Sequence, residues 1–348
     1  MIQVSLSRGT GYFINRIGIL ISALIATAAI HAAPMITFPT ENRLLLESGK
    51  EAKFFVGTVG KPWISGTFGC VRSDGRQLHE GIDIKCLHRD KKGEPIDTVF
   101  AVADGTVSYI NRKPGLSNYG NYLVLRHVID GVEIYSLYAH LKEVRAGVKA
   151  GTPFKAGEII AVMGRTTNTR ETISRERAHL HFEFGLLAND RFAAWYKESH
   201  PGQRNDHGAW NGQNLIGLNP ATVLIQQNKM GAKFNLVDLI HAQTELCRVT
   251  IRKQQFQWIK RYDSLIVPNP IAEKEGVGGY ELAVNFSGVP FKITPRAASE
   301  ITGAGKYQLL SVNETEQQKN PARQLVVKKK GRWELAPAGI NLLDLLTY

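Results

Sequence analysis

Two histidines stand one residue apart in AHLHFEFG, residues 178–185, within a short β-prone run. Side chains alternate along a strand, so His179, His181 and Glu183 share one face while Leu180, Phe182 and Phe184 face a core. Such a pair is either a half-exposed strand with solvated imidazoles or part of a metal site, because neutral imidazole ligates zinc. The choice depends on further groups elsewhere. LHEGIDI, residues 78–84, supplies His79 and Asp83. Gly81 between them would let the backbone turn so that both side chains point at one ion. With His181 they make two imidazoles and a carboxylate, a set that holds a catalytic zinc and leaves its fourth position to water. YSLYAHL, residues 135–141, adds His140 at the end of a strand-like run, a position that taken alone reads as polar surface.

These side chains need strands to position them, and the surrounding sequence supplies strand signals. Alternating apolar runs at 98–110, 120–128, 132–141 and 158–164 are broken by Gly, Asn and Asp. Asp-Gly at 104–105 and 130–131 is a hairpin signal. Residues 59–226 therefore read as all-β with antiparallel sheets, interrupted by a polar stretch with a short helix at 189–217. From residue 227 to 348, further alternating runs at 245–259, 280–295 and 323–337 predict a smaller β-rich domain of unknown role. Its lysines at 328–330 suit an exposed hairpin edge. Residues 33–58 form a lead-in with little motif content.

The N-terminus sets the compartment. Arg8 and Arg16 precede an apolar run at 17–30 and the small residues of HAAP, 31–34. This pattern predicts a signal peptide over residues 1–32 and an exported protein, periplasmic or secreted, with no stable membrane span in the mature chain. The formal net charge of +12 favours polyanionic partners. Export points away from nucleic acid and toward anionic envelope material. An oxidising compartment makes a Cys70–Cys86 disulfide reasonable, leaving Cys247 over.

The chain resembles the zinc metallopeptidases of the lysostaphin/LytM type, family M23. The resemblance is carried in order by GTFGC (66–70), HEGIDI (79–84), FAVADGTV (100–107), YGNYLVLRH (119–127), YSLYAHL (135–141), AGEIIAVMG (156–164) and HLHFEF (179–184). It implies one zinc ion on His79, Asp83 and His181, with His140 and His179 as catalytic histidines beside it. One imidazole would serve as general base and the other would bind the oxyanion. The sequence leaves that division open, with strand alternation favouring His179 as the base. The implied activity is hydrolysis of peptide stems or cross-bridges of peptidoglycan through a zinc-activated water; the alternative is a non-hydrolytic regulator or wall-binding module.

Three departures qualify the match. The loop at 165–178 carries Arg165, Arg170, Arg175 and Arg177, either a solvated loop or a basic cleft wall. Arg72 sits one residue later than the family's arginine, leaving its role open. The aromatic transition-state donor that relatives carry before the first ligand has no counterpart among the residues before His79. Glu183 reads as a paired surface carboxylate, and His127 as a satisfied strand-end histidine. A carrier-domain reading of 148–164 fails for want of a modified lysine at the hairpin tip.

Overall fold

The computed structural model of the protein describes residues 36–348. The leader expected over residues 1–32 lies outside the described residues. The described residues form one compact unit. The strands are β1 (Gly69–Arg72), β2 (Gln77–His79), β3 (Ile82–Lys85), β4 (Thr98–Phe100), β5 (Gly105–Asn111) and β6 (Tyr122–Ile129). They continue with β7 (Val132–Ala139), β8 (Leu141–Val144), β9 (Pro153–Phe154), β10 (Ile159–Met163), β11 (His179–Leu187) and β12 (Leu215–Leu218). The C-terminal part adds β13 (Cys247–Ile251), β14 (Gly279–Val284), β15 (Pro290–Arg296), β16 (Tyr307–Val312), β17 (Val326–Lys329) and β18 (Arg332–Leu335).

The largest sheet runs β12-β11-β7-β6-β5-β9, with β3 also paired to β11. A three-stranded sheet, β4-β10-β8, and the hairpin β1-β2 complete the first half. All of these pairings are antiparallel. Alternation along β11 sends Leu180, Phe182 and Phe184 into the main core, where each is at most 1% exposed. Burial of three such side chains stabilises the strand by several kcal/mol, at about 1.5–3 kcal/mol each. The opposite face is buried as well, so the histidines on it are not solvated.

The second half is strand-rich but not all-β. Its sheet runs β15-β14-β13-β16, and β17-β18 form the expected hairpin. Helices interrupt it at Leu236–His241, Gln257–Arg261, Pro270–Glu275, Glu314–Lys319 and Pro337–Thr347. Residue 227 falls inside the helix Pro220–Met230, where Asn219 caps the N-terminus by accepting from the backbone of Ala221 and Thr222. The two halves share buried contacts: Asn189 donates to the Leu345 carbonyl at 2.8 Å, and the Leu187 amide donates to the Tyr262 hydroxyl at 2.8 Å. Among the described residues no helix is long and apolar enough to cross a membrane.

The lead-in is part of the core. Phe54 is fully buried, Phe55 bridges to Ile84, and the Val56 amide donates to the Asp83 carbonyl at 2.9 Å. All three cysteines are free, so the Cys70–Cys86 bridge is absent. Cys70 lies on β1, where the Arg323 charge acts on it, whereas Cys86 lies past β3 near Asp97 and Arg89. The short sequence separation does not bring the thiols into one environment.

His127 is buried within β6, donating from Nδ1 to the Asp104 carbonyl (2.9 Å) with Nε2 against Ser136 Oγ (2.7 Å). It is a satisfied core histidine, and burial lowers its pKa to about 4. The unfolded chain, with the ordinary value near 6.5, therefore binds a proton that the fold rejects. This contribution to stability is intact above pH 6.5 and is lost as pH falls through 4, by about 3 kcal/mol. Denaturant unfolding at pH 7 and pH 4 is expected to reveal the loss, and His127→Gln should flatten it. An unchanged pH slope in the variant would assign the acid sensitivity elsewhere.

Candidate metal centre and its cleft

The register of β3 on β11 places Asp83 directly opposite His181, so both side chains leave the sheet on the same face. His179 follows two residues away on that face. Gly81 permits this pairing in a way the sequence did not suggest. Its φ is not left-handed; instead, a Cβ there would lie 2.3 Å from the Phe182 carbonyl oxygen and 2.9 Å from Glu183 Cγ. Close approach of two backbones, not a turn, requires the glycine.

His79, Asp83 and His181 converge, their ligating atoms all lying within 4.8 Å of one another. Asp83 Oδ1 lies 2.9 Å from His181 Nδ1, 3.2 Å from His79 Nε2 and 3.5 Å from His179 Nε2. Each imidazole is pinned through its other nitrogen. His79 Nδ1 donates to the Thr67 carbonyl at 2.7 Å, and a carbonyl only accepts, so Nε2 keeps its lone pair. His181 Nε2 donates to Glu183 Oε1 at 2.9 Å, turning Nδ1 inward. His179 Nδ1 donates to the Arg177 carbonyl at 2.7 Å. His140 Nδ1 donates to the Thr166 carbonyl at 2.8 Å.

His140 follows β7 with a φ of 59°, a left-handed conformation uncommon for a side chain of this size. The turn sets its ring 4.9 Å from that of His179 and 5.9 Å from that of His181. The structure thus brings all five sequence-predicted residues into one cluster: Asp83, His140, His179 and His181 line the pocket, and His79 lies buried behind them. Pinning through a second hydrogen bond is the arrangement that fixes tautomer and ring orientation in metal-binding histidines. Two inward imidazole nitrogens and one carboxylate fit a zinc ion in donor type, number and spacing.

Charge within the cluster is strongly coupled. Burial alone would raise the Asp83 pKa, but His79, His179 and the bond from His181 outweigh it and hold the carboxyl well below its usual range. Burial lowers the pKa of His79, with Asp83 opposing. Burial lowers His179 and holds His140 well below the ordinary histidine value. For His181 burial acts downward, yet its bonds to Asp83 and Glu183 prevail and raise it to about 9.

Three residues outside the predicted set complete the site. Glu183 is buried rather than on the surface, and accepts from both His181 and the Tyr119 hydroxyl, the latter at 2.6 Å. Tyr119 is an aromatic hydroxyl beside His181, their rings 5.5 Å apart, but it comes from the YGN segment after the first ligand. Burial keeps its pKa well above the usual tyrosine value, so it stays a donor. Arg72 reaches the cluster itself, donating from Nη2 to Asp83 Oδ2 at 2.6 Å and to His79 Nε2 at 2.8 Å.

A cleft of about 750 Å³ opens over the cluster, walled by the lead-in side (Thr58, Lys61), by β1 and by the arginine loop. That loop divides in two. Arg165 and Arg175 pair with Glu94 at 2.8 Å and anchor it, while Arg170 and Arg177 line the cleft.

Residues 77–191 match peptidase family M23. Among solved structures, the chain is similar to a zinc-containing peptidase from Vibrio cholerae, at 29% identity over 31% of this chain and 26% of that one, TM-score 0.23. It is also similar to a LytM-type protein from Ruminococcus gnavus, at 30% identity over 31% and 39% of the two chains, TM-score 0.24. The catalytic domain of the antimicrobial peptidase lysostaphin from Staphylococcus simulans matches at 21% identity over 46% and 86%, TM-score 0.27. The first two matches thus span 26% and 39% of the other chains' length. No curated protein matches the chain.

Proposed function

We propose that this chain, with its family M23 segment at residues 77–191, is an exported zinc metalloendopeptidase that hydrolyses peptide cross-links of bacterial peptidoglycan. The observation that carries the reading is the convergence of four pinned imidazoles and one buried carboxylate at the floor of a peptide-sized cleft. Export rests on the charged and apolar pattern of residues 1–32.

In this reading His79, Asp83 and His181 would hold the ion, which when bound would supply a water of near-neutral pKa and a Lewis acid for the scissile carbonyl. The chain's own residues do the rest. Glu183, itself held by Tyr119, fixes the tautomer and tilt of His181. Arg72 keeps a partner in Asp83 Oδ2 and balances that carboxylate's charge. His140 and His179 are neutral at pH 7, since burial depresses both, and each presents Nε2 to the cleft. One accepts a proton there and returns it to the leaving amine; the other donates a hydrogen bond to the developing oxyanion.

The test is digestion of purified peptidoglycan by the zinc-loaded protein, with new amino termini identified by mass spectrometry. Cleavage is expected to stop with chelator and return with added zinc. Undiminished turnover by metal-free protein would refute zinc catalysis. Absence of new termini with zinc in place would favour a binding or regulatory role instead.

A further inference from the structure

A second cavity, of about 240 Å³, adjoins the cleft and shares Glu80, Asn118 and Tyr119 with it as common walls. Its far side comes from the C-terminal half, through Ser287 and Arg323. Arg323 lies outside the segment that matches family M23, and no metal ligand faces it. Its guanidinium packs against Gly288, where a Cβ would sit 3.2 Å from Nη2. Among the described residues it forms no ion pair within 4.0 Å, whereas Arg261, of the same intermediate burial, pairs with both Glu133 and Asp190. Glu80 and Cys70 act on it only at longer range, and burial works against its charge. A guanidinium held this way, half-buried and without an acidic partner, presents unused donors to the cavity.

Resting on the proposed peptidase reading, we propose that this cavity is a substrate subsite for a carboxylate carried by the peptide, with Arg323 as its specificity-determining residue. A planar guanidinium matches a carboxylate in bidentate fashion. The cavity is the size of one amino-acid residue, and it opens beside the ligand-bearing β2–β3 turn. A peptide lying across the metal centre can therefore place a carboxyl-bearing residue there while its scissile bond faces His140 and His179. The side chains of Asn118 and Gln213 on the same walls offer further hydrogen bonds to the residue so held.

The test uses stem peptides released from purified peptidoglycan, compared with the same peptides after carbodiimide amidation of their carboxyls. Calorimetric binding to the full-length chain is measured for the wild type, Arg323→Met and Arg323→Lys. Amidation is expected to weaken wild-type binding about tenfold or more, the scale of a charge-assisted pair. In Arg323→Met that difference should collapse to about twofold, and Arg323→Lys should retain an intermediate preference. In the zinc-loaded protein the Arg323→Met effect should fall on KM rather than kcat. Equal affinity of the wild type for both peptide forms, a comparison that needs no variant to fold, would overturn the subsite. So would an undiminished preference in Arg323→Met. Binding is read without turnover, so a failed hydrolysis assay would sink the peptidase reading alone.

Discussion

Replacing His181 with alanine is expected to abolish peptidoglycan cleavage and to drop bound zinc from one equivalent to background. The loss should exceed about four orders of magnitude in kcat/KM, because two remaining ligands cannot hold the ion in an open three-ligand site. His181 carries more than its own bond. It is the pivot between Asp83 on β3 and the Glu183–Tyr119 pair, with contacts of 2.9 Å on each side. Without the imidazole, two buried carboxylates lose a shared partner, so thermal stability should fall as well. Zinc content by elemental analysis, cleavage and unfolding are therefore to be measured together. A variant that keeps stoichiometric zinc would show that the ion sits elsewhere.

His140→Ala and His179→Ala should behave differently from that variant. Each is expected to lower kcat by about 10²–10⁴, with zinc content unchanged. The double variant should cost far less than the product of the two, because groups acting in one proton-transfer step are not additive. The pH profile assigns the roles. The base must be deprotonated, and burial depresses both histidines, so the acidic limb of kcat/KM should lie below pH 6.5 in the wild type. Removing the base should erase that limb; removing the oxyanion donor should lower the plateau and keep it. Retained wild-type kcat in both variants would leave them structural.

The clustering of these side chains was legible because it depends on local rules. Alternation put His179 and His181 on one face, and the short His79–Asp83 spacing spans the turn from β2 to β3. The shape of the pocket was not legible in the same way. Glu183 reads as surface until Tyr119, 64 residues away, is folded onto it. Arg323 joins the cleft's neighbour only through the packing of the C-terminal half. The helices there were missed for a different reason. Asn219-Pro220 and Asn269-Pro270 are capped helix starts, each asparagine accepting from the following turn. Apolar alternation in the runs flanking them masked these signals. The free cysteines show the opposite error, since nearness in sequence suggested a contact that the strand arrangement does not make.

Where Tyr262 clasps Leu187, its hydroxyl meets both the amide, at 2.8 Å, and the carbonyl, at 3.3 Å, of the residue that ends the histidine strand. The second half thereby ties off the strand from which the first half's chemistry hangs. Residues 77–191 are consequently not a portable module. Excised, they would leave Leu187 with a frayed terminus and Ile84 without its bridge to Phe55, so the strand that bears the histidines depends on chain outside the matched segment.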